Sequence, residues 1–215
     1  MKANKDRPGH PELEQAFFND GYRLAAEHLS GEVSQLALLH AVHQLYETLE
    51  SFLDLFLVNA QKGGVPAQCK KGCSWCCHQA VFAQDHEIRY LKDRMFRNFT
   101  EEQLDHVRRR AGEKQGNTAS LSPAERLLHK EACPLLQNNA CTAYEARPVA
   151  CRIYLSSDLE SCKHEYRDPR DKSNFPQLFE VPLLAGRKIN EGFTRRLKEC
   201  GQSTTEYPLE QGLLG

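Results

Sequence analysis

The sequence predicts a mostly α protein, with helices packed around an irregular, metal-stapled Cys-rich core. Three observations carry this expectation. Apolar residues recur at helical spacing on both sides of the chain's middle, no segment sustains strand alternation, and eight of the nine cysteines fall between Cys69 and Cys162.

Residues 11–29 set Leu13, Phe17, Leu24 and Leu29 among polar neighbours and read as a first helix. Leu38, Val42, Leu45, Leu49, Phe52 and Phe56 follow a four–three spacing, flanked by Leu39, Tyr46 and Leu53. That is a wide apolar stripe on one long helix over 33–60. Gly63-Gly64-Val65-Pro66 ends it and leads to the first cysteines. Beyond them, Asp85 is placed to cap a helix carrying Ile88, Leu91 and Met95, and Thr100 with Gln103 forms a capping box for a further short helix. Residues 112–122 are rich in Gly, Asn, Thr and Ser and read as a loop. Ser122-Pro123-Ala124-Glu125 joins a capping box to a proline at the first helical position. After Cys162, residues 166–176 read as irregular, 177–184 as extended and 187–200 as helical. The expected organisation is an N-terminal helical segment (1–65), a Cys-rich metal-binding module (66–165), and a C-terminal extended segment and helix (166–215), all in one compact unit.

Composition excludes several function classes. Of 215 residues, 40% are hydrophobic and 27% charged, an ordinary balance for a globular chain. The formal net charge of −1 supplies no global field to attract nucleic acid. No apolar run has the length of a membrane span, and MKANKDRPGHPELE lacks the apolar region of a secretory signal. The expectation is a cytoplasmic protein with neither nucleic acid nor membrane as partner; a protein partner is left open. In a reducing compartment a cysteine cluster serves metal binding or catalysis rather than disulfides.

Two motifs hold the cysteines. Cys69-Lys70-Lys71-Gly72-Cys73-Ser74-Trp75-Cys76-Cys77 places four thiols in one burst. Thiolates two or three residues apart converge on one borderline or soft metal at little loop-closure cost. Gly72 suits a tight turn that aims backbone N–H groups at sulfur. Side chains of adjacent residues diverge, so Cys76 and Cys77 serve different metals, or only one is a ligand. The second motif runs from Cys133-Pro134 through Cys141 to Arg147-Pro148-Val149-Ala150-Cys151-Arg152, and Cys162-Lys163-His164 follows. Pro148 suits a helix start, which puts Cys151 in a first turn where the dipole and free N–H groups favour a thiolate. Lys70, Lys71, Arg147, Arg152 and Lys163 are placed to offset thiolate charge. A lone buried cysteine is usually a small hydrophobe, but four in one burst outweigh that reading.

This ordered pattern resembles the CxxCxxCC family of zinc- or iron-chelating (YkgJ-like) domains over residues 66–165. The resemblance implies metal ligation by Cys69, Cys73, Cys76, Cys77, Cys133, Cys141, Cys151 and Cys162, with zinc or an iron–sulfur cluster as cofactor. A related domain in bacterial flagellin lysine methylases makes an iron–sulfur-dependent protein-modifying enzyme the alternative. Cys69-x3-Cys73-x2-Cys76 also resembles the cluster motif of radical S-adenosylmethionine enzymes, in which three thiolates hold a four-iron cluster. That family sets its motif after a β-strand and follows it with a β/α barrel, whereas helices flank the motif here.

Other constellations are weaker. His40, His43 and Glu47 share one helical face at metal-ligand spacing, yet they flank an apolar stripe and read first as its solvated edge. His78 and His164 adjoin cysteines and are candidates for direct or supporting roles. Arg108-Arg109-Arg110 reads as a solvated helix end, Glu87 as a first-turn acid, and Cys200 as a cysteine outside both motifs.

Overall fold

The computed structural model describes residues 10–70, 72–171 and 173–215. Among these residues the helices are α1 (Pro11–His28), α2 (Gln35–Lys62), α3 (Asp85–Asn98), α4 (Glu101–Thr118), α5 (Pro123–Leu128), α6 (Val149–Arg152), α7 (Leu159–Arg167), α8 (Glu180–Glu199) and α9 (Leu209–Leu214). Strand is sparse. β1 (Phe82–Gln84) pairs antiparallel with β4 (Glu206–Pro208) through Ala83↔Tyr207, and β2 (Leu136–Gln137) pairs with β3 (Ala140–Cys141) through Leu136↔Cys141. The protein is mostly α, and its cysteine region is irregular. No described helix is long and apolar enough to cross a membrane.

The long helix forms as its stripe predicts. Ser34 Oγ accepts the Ala37 N–H at 3.2 Å to cap α2, which buries Leu38, Val42, Leu45, Tyr46, Leu49 and Leu53. Each such leucine contributes roughly 1.5–3 kcal/mol relative to exposure. Phe52 and Phe56 lie at the stripe's half-buried edge, edge-on to Phe17 (5.6 Å) and Phe179 (5.2 Å). Gly64 follows the helix with φ +80°, a conformation that favours glycine. One buried apolar cluster then joins Ala25, Leu49, Leu91, Val149, Phe193 and Leu213 from distant parts of the chain.

α1 and α8 meet at glycines. A Cβ at Gly21 would stand 1.9 Å from the Ile189 carbonyl oxygen, and one at Gly192 would stand 1.9 Å from that of Phe18. This contact of backbone on backbone fixes α8 over the bundle and aims its polar face elsewhere.

Three expectations need correction. Asp85 is the first residue of α3 and not its cap; Gln84 holds that position, its N–H donating to Glu87 Oε2 at 2.9 Å. Residues 112–118 are helical rather than loop, because α4 continues to Thr118. Its inner face buries Ala111, Lys114 and Thr118, and Lys114 Nζ donates to the Glu131 carbonyl at 3.1 Å. Packing there and against α9 overrides the weak helix propensity of Gly and Asn. Finally, α8 begins at Glu180, so the extended segment expected over 177–184 shrinks to a bridge between Ser156 and Leu178. Pro182 fits inside the first turn, where a missing N–H leaves no helical bond unmade. The capping boxes at Thr100 and Ser122 form as expected, each with both reciprocal bonds.

Candidate metal centre

The first motif is a turn and a single 3-10 segment. Gly72 has φ +88°, and the Cys73 N–H donates back to the Lys70 carbonyl at 2.9 Å. Trp75–His78 forms the 3-10 segment, whose Trp75 and His78 rings pack edge-on against Tyr166 of α7 at 5.2 and 4.9 Å. Two backbone pairings then carry its two ends apart. Gln68 N–H donates to Ser156 O (2.9 Å) and Ser156 N–H donates to Cys69 Sγ (3.2 Å), drawing Cys69 to the segment that leads to Cys162. Glu131 N–H donates to His78 O (2.9 Å) and Cys133 N–H to Cys77 O (2.8 Å), drawing Cys77 to the second motif.

The second motif is a hairpin followed by one helical turn. Asn138 and Asn139, with φ +51° and +59°, form the tight turn between β2 and β3 that brings Cys133 and Cys141 to one end. An Asn-Asn pair between short apolar runs is a hairpin signal that the sequence reading missed. Arg110 of α4 clamps the hairpin's base, donating to the carbonyls of Pro134 (3.3 Å) and Leu136. Cys151 does lie in the first turn of α6, after Pro148. Two of the N–H groups expected to serve it are taken, however. Val149 N–H donates to Glu87 Oε1 at 2.8 Å, and Cys151 N–H donates to Pro148 O at 2.9 Å. Burial instead pushes the Cys151 thiol well above its ordinary pKa, with Cys133, Cys141 and Cys77 adding to the rise.

The electrostatic neighbours of each sulfur divide the same way. Burial raises Cys69, whose thiol neighbours are Cys73 and Cys162, while the Ser156 N–H works against the rise. Cys162 is raised by burial with Cys73 beside it, and Ser156 and Ser161 offset part of that rise. In the other group burial pushes Cys133 up to about 12, with Cys141 and Cys77 as neighbours and the Leu135 N–H opposing. Cys141 is raised by burial and by Cys77, against the N–H of Ala143. The adjacent pair spans the two groups. Cys76 donates to the Cys77 sulfur, which raises Cys76 and lowers Cys77 to about 7, helped by the Arg147 and Lys114 charges. Cys76 feels Cys151 on one side and Cys69 on the other.

All eight thiols are half-buried. Among the described residues no three sulfurs lie within 4.8 Å of one another, so each group has gathered without closing to the spacing of a thiolate tetrahedron, about 3.8 Å for Zn–S bonds of about 2.3 Å. The donor chemistry fits a borderline or soft metal: sulfur only, with the backbone N–H groups of Ser156, Leu135 and Ala143 directed at Cys69, Cys133 and Cys141.

Of the expected cations, Arg147 faces the thiols and lowers Cys77, while Arg152 is turned to Glu50 and the Tyr46 ring, 4.0 Å from its centroid. Lys163 pairs with Glu160 at 2.6 Å, and Lys71 lies outside the described residues. Lys114, which the sequence reading passed over, is 5% exposed and lowers Cys77 and Cys133. Its only sequence signal is its place on α4's buried face. Each of the two histidines has an oxygen partner on one ring nitrogen: His78 Nδ1 bonds Ser74 O at 3.0 Å, and His164 Nε2 bonds Asp171 Oδ2 at 2.8 Å. His164, Asp168 and Asp171 bring their ligand atoms within 4.8 Å at the surface. His40 stacks edge-on to His28, His43 bonds the Tyr90 hydroxyl, and Glu47 is exposed, so that trio does not converge. Arg108 and Arg109 are mid-helix and paired with Asp105 and Glu113, which corrects the helix-end reading. Glu87 is a first-turn acid and fully buried as well. Cys200 caps α8 near Leu29 O, away from both groups.

A cavity of about 1080 Å³ opens beside the cysteines, with Cys73, Cys76, Cys77, Cys133, Cys141 and Cys151 on its wall. Residues of α8 line it as well. No curated protein and no solved structure matches the chain. A family model does match residues 68–174, that of the CxxCxxCC family, described as "Putative zinc- or iron-chelating domain". Over those residues the chain carries a domain of the CxxCxxCC family.

Proposed function

We propose that this metal-binding domain holds its metal in two neighbouring four-thiolate centres: Cys69, Cys73, Cys76 and Cys162 in one, and Cys77, Cys133, Cys141 and Cys151 in the other. The observation that carries this reading is the split of the adjacent pair. Backbone bonds at 68–69 lead to Ser156, those at 77–78 lead to 131–133, and Cys76 and Cys77 stand at the junction. Four thiolates suit a tetrahedral zinc site or an iron–sulfur cluster alike. Bound there, a metal would cross-link segments separated by long loops and couple its own affinity to folding. The neighbouring cations Arg147 and Lys114 support the surplus negative charge of eight thiolates.

The test is metal analysis of protein purified without oxygen, with its visible spectrum, on the parent and on Cys76→Ser, Cys77→Ser and Cys200→Ser. Two centres predict that each of the first two variants loses part of its metal and keeps the rest, while Cys200→Ser matches the parent. Absorption with acid-labile sulfide identifies iron–sulfur; a colourless protein with stoichiometric zinc identifies zinc. Full metal retention in both Cys76→Ser and Cys77→Ser would sink the two-centre division.

A further inference from the structure

α8 lies beyond the family match, and one of its faces carries a line of polar residues. Arg187, Asn190, Glu191, Thr194, Arg195 and Lys198 all line the cavity that the cysteines line. Their steps of three, four and eleven residues place them on a single helical face. From Arg187 to Lys198 that face runs about 16 Å at 1.5 Å per residue.

Charge on this wall is unevenly satisfied. Glu191 is held by Lys188 at 3.0 Å, and Arg195 by Glu199 at 2.9 Å. Arg187 and Lys198 are exposed and have no ion-pair partner among the described residues; Glu206 of β4 belongs to the same lining. The same lining carries apolar side chains, among them Val81, Leu127, Leu135, Ile153, Leu183 and Leu209. A cavity of about 1080 Å³ is large enough for a cofactor-sized or lipid-like molecule.

We infer that this cavity is a binding site for an amphipathic organic anion, whose acidic head meets one of the two free cations, Arg187 or Lys198, and whose apolar body lies against the cavity's apolar lining. A cationic or neutral ligand would leave both side chains unpaired. A bare inorganic anion would leave the apolar lining unused, so the free cations and the apolar side chains together specify an amphipathic acid.

The experiment uses the full chain as purified with its metal. The fluorescent probe 8-anilinonaphthalene-1-sulfonate, an anion on an apolar body, is titrated, then displaced with decanoate or with decylamine, which carries the opposite charge on the same chain. The expected result is saturable one-site binding, displaced by decanoate and not by decylamine. Charge reversal in the double variant Arg187→Glu/Lys198→Glu should weaken probe and decanoate by about tenfold. Melting temperature and metal content should stay unchanged, and Arg23→Glu, on an exposed face of α1, should bind as the parent does. Equal displacement by decylamine, parent-like binding by the double variant, or no saturable binding would each overturn the inference. Metal content is read separately from probe binding, so this inference and the two-centre reading can fail independently.

Discussion

Glu87 joins three parts of the structure through one carboxylate, and its removal should be costly. Its Oε1 accepts the Val149 N–H at 2.8 Å and the Tyr46 hydroxyl at 3.4 Å, and its Oε2 accepts the Gln84 N–H at 2.9 Å. The side chain is 2% exposed, and burial raises its pKa against the lowering effect of those bonds and of Arg152. Hydrogen bonds to a charged group contribute about 1.5–3 kcal/mol each, and an orphaned buried N–H costs about 1–3 kcal/mol. Val149 is itself buried, so its N–H finds no water when the acceptor goes. Glu87→Ala should therefore destabilise the protein by about 4–6 kcal/mol, a large part of an ordinary domain's total. Glu87→Gln keeps one acceptor oxygen and turns an NH2 toward the other donor, and should cost about 2–4 kcal/mol. Urea unfolding of the metal-loaded protein measures both. Because Val149 begins the turn that carries Cys151, metal bound at the Cys77, Cys133, Cys141 and Cys151 group should also dissociate faster in both variants. A Glu87→Ala protein within about 1 kcal/mol of the parent, with unchanged metal release, would refute the account.

Three further outcomes follow from single contacts. Gly192→Ala should destabilise by more than about 3 kcal/mol, because its Cβ meets the Phe18 backbone oxygen, whereas Gly116→Ala on α4 meets open space and should stabilise by about 0.5–1 kcal/mol; urea midpoints compare them. His86 is fully buried and its pKa is pushed down to about 3, so its neutral form contributes stability that is complete above pH 6.5 and is lost as pH falls from there toward 3. Between pH 7 and pH 5 that loss is about 2 kcal/mol, and His86→Met should show a correspondingly smaller fall in melting temperature than the parent; an equal fall would exclude His86 as the cause. Lys114→Met should keep the packing of the side-chain stem but remove a cation beside Cys77 and Cys133, moving the pH midpoint of metal loss upward by about half a unit; a midpoint unmoved or lowered would count against charge compensation.

What the sequence by itself determined is what rests on local rules. The α2 stripe, the capping boxes at Thr100 and Ser122, the turn at Gly72 and the two cysteine motifs depend on residue type and spacing within a few positions, and these were legible. Tertiary structure decided the rest, because the deciding partners are remote in the chain. Residues 112–118 became helix since Lys114 reaches Glu131 and Thr118 is buried against the chain's end, contacts that outweigh local propensity. Cys151 gained burial instead of a helix dipole's free N–H groups because Glu87, 62 residues away, had taken the first of them. The proposed sorting of eight similar thiols into two centres rests likewise on remote partners: the backbone bonds from Cys133 to Cys77 and from Gln68 to Ser156, and the Ser156 N–H on the Cys69 sulfur. Spacing states which thiols can share a metal; only the packed chain selects which of them meet.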